Sequence, residues 1–133
     1  MPLADPLVVC RTVLLADPTV TALIGDRVYA TPLLPKGHSY PCVRLTLTGA
    51  SGHTPVGFRQ GMDAAVQFDA WAVDMPGVSA VAEACLDSLH GTPDVSGAIR
   101  IKVVLEAREL DEAVQPPLHR YRADLLVRVA KIA

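Results

Sequence analysis

The stretch from Val66 to Leu89, VQFDAWAVDMPGVSAVAEACLDSL, changes its hydrophobic period once, and that change dictates most of what the chain can fold into. In its first half Val66, Phe68, Ala70 and Ala72 fall on one face and Gln67, Asp69 and Trp71 on the other, the period of two of a strand with one buried face. Asp74, Met75, Pro76 and Gly77 then interrupt the ladder, because proline has no amide donor and glycine accepts turn geometry. Beyond the break Val78, Val81, Ala82, Cys85, Leu86 and Leu89 recur at intervals of three and four, with Ser79, Glu83, Asp87 and Ser88 outside; Gly91 and Pro93 end the pattern. A strand that runs straight into a helix with one apolar stripe requires the helix to lie back across the sheet. Burying that stripe stabilises the unit by roughly 1–3 kcal/mol for each larger side chain.

The rest of the chain supplies partners for this unit. Pro6 to Ala16 reads as a first helix, capped by Asp5 and lined by Leu7, Cys10, Val13 and Leu14, and Asp17-Pro18 starts a second short helix over Thr19 to Ile24. Arg27 to Ala30 is a short extended piece, and Thr31 to Pro41, with three prolines and a glycine, is an irregular surface crossing. Cys42 to Thr48 alternates as a strand. Gly49 to Gly61, with four glycines and a proline, is expected to be a long hairpin loop. Ile99 to Ala107 alternates again, with Ile99, Ile101, Val103, Leu105 and Ala107 inward. The last strand runs from His119 to about Lys131, and an acidic loop carrying Glu109, Asp111 and Glu112 joins the two. The expected architecture is one α+β domain over residues 1–133: a mainly antiparallel sheet of about four strands, a long helix packed on one face and an N-terminal helical segment.

Composition narrows the class. Half of the residues are hydrophobic before the nine glycines are counted, and 20% are charged, below the usual ~25%. No apolar run approaches the ~18 residues of a membrane helix, so the excess is expected to cover a contact with other copies of the chain. The N-terminus has no basic segment before its apolar part and so does not read as a signal peptide. The net charge of −2 excludes a strongly basic protein. Cys10, Cys42 and Cys85 fall at positions that read as inward or half-buried, without motif spacing, as free thiols do in a reducing compartment.

The sheet face turned away from the helix is the candidate contact. It is read as carrying Arg44, Arg100, Lys102, Arg108, Arg120, Arg122 and Arg128 against Asp63, Asp69, Glu106 and Asp124, with Trp71, Val104 and Leu126 among them. A solvated face has no need of a tryptophan, so Trp71, Val104 and Leu126 with Arg44, Arg122 and Arg128 are the expected subunit interface. The alternative is that arginine stems cover these apolar groups within one monomer. In the glycine-rich loop Val56, Phe58 and Arg59 form either a partner anchor or a flap folded onto the chain's own sheet.

The four histidines are scattered, without metal-ligand spacing, and the buried cysteines are inert as nucleophiles. No catalytic, cofactor-binding or metal-binding residue is expected, and no cofactor. GASGHTPVG lacks the lysine and the following helix of a phosphate loop. With Trp71 as its single aromatic residue, the outer face has no stacking ladder for nucleic acid, and sequence-specific binding is not expected.

DPTVTALIGDRVY (Asp17 to Tyr29), YPCVRL (Tyr40 to Leu45) and VQFDAWA (Val66 to Ala72), in that order and followed by a closing hairpin ending YRADLLVRV, resemble the tail-completion or tail-terminator family of long-tailed bacteriophages and prophages. The resemblance covers nearly the whole chain and carries no catalytic residue. It implies a virion protein, made in the host cytoplasm, that assembles as a hexameric ring in the tail or neck. Such a ring caps the tail tube, joins it to the head connector and leaves a lumen for double-stranded DNA. Its implied partners are other copies of the chain, tail-tube protein and connector proteins, with no membrane. On this reading the Val56, Phe58 and Arg59 loop meets the tube or connector, and Glu109, Asp111 and Glu112 face the lumen. A head-closure ring and, from another class, a small dimeric ligand-binding or regulatory domain remain the alternatives.

Overall fold

Aspartate and proline punctuate the helices. In the computed structural model, which describes residues 5–31, 33–53, 61–90, 99–111 and 118–130, helix α1 spans Pro6–Ala16, α2 Pro18–Ile24 and α3 Met75–Leu89. Each starts after an aspartate whose carboxylate accepts an amide of the first turn: Asp5 from Leu7 at 2.8 Å, Asp17 from Thr19 at 2.9 Å, Asp74 from Gly77 at 2.7 Å. A proline follows at the first or second helical position, where a missing amide costs nothing. α1 and α2 meet at 90° around Asp17. Gly25 closes α2 with φ of +59°, a left-handed conformation that a side chain would strain. Among the described residues no single helix is long and apolar enough to cross a membrane.

The strands are β1 (Val28–Tyr29), β2 (Cys42–His53), β3 (Gly61–Ala72), β4 (Ile99–Asp111) and β5 (Leu118–Ala130), ordered β1-β2-β3-β5-β4. β1 runs parallel to β2, and every other neighbouring pair is antiparallel. Because β3 and β4 both oppose β5, they run the same way, and α3 is the crossover between them. The three helices lie on one face of the sheet. Phe68, Val66, Leu45, Leu125 and Val127 rise from that face into Cys10, Leu14, Val20, Ile24, Val78, Val81, Cys85 and Leu89, all buried in one cluster. The fold is therefore α+β with a mostly antiparallel sheet, and the strand-to-helix unit stands at its centre.

One local expectation is extended and two are corrected. The piece after Arg27 does join the sheet, as a fifth strand beside β2. Gly49 to His53 is paired rather than looped, because β3 already lies on β5 from Gly61 onward and offers a template, and a register shift between Leu47 and Gly49 takes up Thr48 as the extra residue. β4 carries a second shift, between Val103 and Leu105, and continues to Asp111. One extra residue in a strand turns every later side chain to the other face. Leu105 and Ala107, expected inward, therefore stand opposite Asp124 and Arg122 on the outer face. Glu106 and Arg108, expected outward, stand opposite Ala123 and Tyr121 on the helix side. There the Tyr121 hydroxyl donates to Glu106 Oε1 at 2.8 Å, and the Arg108 guanidinium lies 5.9 Å from the Tyr121 ring centre.

Candidate assembly interface

Strand pairing sets the outer face out in rows. The row Arg44–Asp69–Arg122 has a carboxylate at its centre, and the row beside it holds Cys42, Trp71 and Arg120. Asp69 is fully buried. Its Oδ1 accepts from Arg120 Nε and Nη2 at 2.9 and 2.6 Å, and its Oδ2 from Arg44 Nη2 at 3.2 Å and Gln67 Nε2 at 2.9 Å. A carboxylate this dry is stable only because both oxygens meet charged or amide donors. The two guanidinium groups it holds also stack on Trp71, at 5.0 Å for Arg44 and 5.2 Å for Arg120 from the ring centre.

Trp71 is thus on the outer face, as the alternation requires, yet only 6% exposed. It packs with Cys42 and Leu118 under Tyr29, Leu34 and Tyr40, so the chain's own irregular segment covers it. Of the six residues expected to form the interface, Trp71 and Arg44 are internal supports. Val104, Leu126, Arg122 and Arg128 reach the surface. Val104 is 62% and Leu126 40% exposed, and the bulge adds Leu105 at 61%. Lys102 lies opposite Leu126, and Arg122 makes no ion pair among the described residues. Arg128 is bound to Asp63 by two hydrogen bonds of 2.8 and 3.3 Å, and that bond raises its pKa. The exposed apolar band therefore runs along the β4–β5 flank, with a basic rim.

Leu105 and Ala107 belong to this band although strict alternation turns them inward. The signal for them is the run Val103-Val104-Leu105, three apolar residues in a row where a half-buried strand should alternate. A shallow depression of about 220 Å³ opens between Leu105, Ala107, Glu109, Arg122 and Asp124. Glu109 lies on β4 opposite Arg120 and Asp111 ends that strand, so neither is in a loop. Glu112, Val56, Phe58 and Arg59 fall outside the described residues.

The thiols take no part in surface chemistry. Burial pushes Cys10 and Cys85 up to about 12 and Cys42 up to about 11, the last despite the nearby charges of Arg27 and Arg44. Among the described residues no three histidine, cysteine or acidic side chains come together as metal ligands.

The arrangement is a sheet flank with exposed apolar side chains and a basic rim. Residues 10–129 match the family described as tail completion protein gp17. The chain belongs to that tail-completion family. In fold, this tail-completion protein is similar to a chain of the virion of a native gene transfer agent particle, with 16% identity over 92% of both chains and a TM-score of 0.64. No curated protein matches it. As a tail-completion protein it is a structural, non-enzymatic component of a phage virion, placed in the tail or neck, and it works by assembling with other structural proteins of the particle.

Proposed function

We propose that copies of this chain close into a hexameric ring at the head-proximal end of the tail, ending growth of the tail tube and joining it to the head connector around a lumen for DNA. The observation that carries the ring is the apolar band of Val104, Leu105 and Leu126 on the open flank of the sheet, which one chain leaves uncovered. The fold shared with a chain of a gene transfer agent virion supports a structural role in a particle.

In this ring the β4–β5 flank meets the neighbouring copy, with Arg122 and Arg128 at its rim. The Arg44–Asp69–Arg120 network and Trp71 hold the face rigid behind it. Val56, Phe58 and Arg59 engage tail-tube or connector protein. Glu109, Asp111 and Glu112 turn to the lumen, where carboxylates repel the phosphates of passing DNA and keep it from sticking.

The test is to mix the purified protein with tail tubes and with connectors and to image both by negative stain. A ring on one end of each tube is the expected result. Rings on connectors alone would move the protein to head closure, and bare tubes with bare connectors would contradict the reading.

A further inference from the structure

We propose that neighbouring copies join edge to edge: the part of β4 beyond its bulge pairs antiparallel with the part of β2 that β1 leaves uncovered, and the sheet runs on from one subunit into the next. This rests on the ring reading above and specifies its contact. Both edges are open among the described residues, since β4 ends the sheet and β1 meets β2 only at Val43 and Arg44. An open edge of unpaired amides and carbonyls is a template for another strand. The directions agree as well. β2 and β5 run one way and β3 and β4 the other, so β4 and a neighbour's β2 meet antiparallel without either subunit being turned over. Two different edges in contact form a head-to-tail joint that repeats from copy to copy, and a ring results where the rotation closes.

Side chains mark the same two edges. Leu47 on β2 and Val104, Leu105 and Leu110 on β4 are exposed, whereas the central strand β3 exposes no large apolar side chain among those described. Leu47 stands opposite Val66 and Leu110 opposite His119, which places both on the helix side of the sheet, where they can meet across the joint. Backbone groups narrow the pairing further. The Val43 amide donates to the Arg27 carbonyl at 3.0 Å, so the alternation of a strand turns the Leu45 and Leu47 amides to that same uncovered side. On β4 the Val103 amide is already taken by His90 Nδ1 at 3.0 Å, which leaves the segment after the bulge to the neighbour.

The experiment is oxidative cross-linking of Leu47→Cys combined with Leu110→Cys, and of Leu47→Cys combined with Arg108→Cys to cover a two-residue slip. The native cysteines are buried and stay out of the reaction. Each sample is run with and without tail-tube protein, and its mass is read by light scattering before oxidation. A ladder of covalent multimers from one double variant, absent from every single variant, is expected. Dimers from Leu110→Cys alone would mean a two-fold pairing of β4 with β4 and would overturn the joint. Rings of full mass without a ladder would overturn the joint while leaving the ring reading in place. Monomers throughout would overturn both.

Discussion

Asp69 holds two guanidinium groups and an amide at the centre of the outer face, and water reaches those arginines only in part. Removing the carboxylate leaves two cations facing each other, so Asp69→Ala is expected to lower stability by about 3 kcal/mol. Arg128→Ala breaks an exposed pair with Asp63 and should leave the urea midpoint close to that of the parent protein. Urea unfolding of both variants checks this, and the reverse order would contradict the network's role. The thiols give a second prediction. In the folded chain Cys10, Cys42 and Cys85 hold their protons up to about 12, 11 and 12, whereas in the unfolded chain they ionise near 9.0. Unfolding above pH 9 therefore releases protons, and stability falls as pH rises from 9 toward 11. Below pH 9 these groups add no pH dependence, and melting curves between pH 7 and 10.5 should show a plateau and then a decline. The inward placement of Cys10 and Cys85 was legible because it follows from helix period alone, whereas Cys42 lies on the outer face beside Trp71 and is buried by the segment that covers both. The cover over Trp71 was not legible, because Leu34 and Tyr40 come from a segment without periodicity.

The helices follow from their punctuation. Asp74 caps α3, and a Cβ at Gly77 would sit 2.6 Å from the capping Oδ1. Asp74→Ala is expected to cost about 1 kcal/mol, and Gly77→Ala a similar amount by displacing the same carboxylate. The double variant should then cost little more than either single one, whereas full additivity in chemical denaturation would mean the two residues act separately. The strands show where reading by period stops. Alternation placed Ile101, Leu125 and Val127 in the core correctly, and it failed past Val104, where one extra residue reverses the faces. It failed also at Gly49 to His53, where pairing is imposed by β3 and β5 rather than by local preference. Both departures fall on β2 and β4, the strands with open edges among the described residues.

At the scale of the molecule, half-hydrophobic composition and an exposed flank point the same way: the chain carries large apolar side chains that its own described residues leave exposed. The sequence's excess of apolar residues announced a partner, while the position of that surface depended on the bulge. Leu105→Glu should therefore leave stability within about 0.5 kcal/mol of the parent protein, as a surface change does, and yet abolish assembly. A variant that unfolds would show Leu105 to be a core residue, and one that assembles normally would remove the flank from the contact. The most direct test of the whole account is the mass of the purified protein in solution, measured by light scattering over a range of concentrations with and without tail-tube protein. The account predicts a closed species of about six times the 14.1 kDa chain, formed alone or on contact with tube protein. A dimer whose mass does not change when tube protein is added would contradict it.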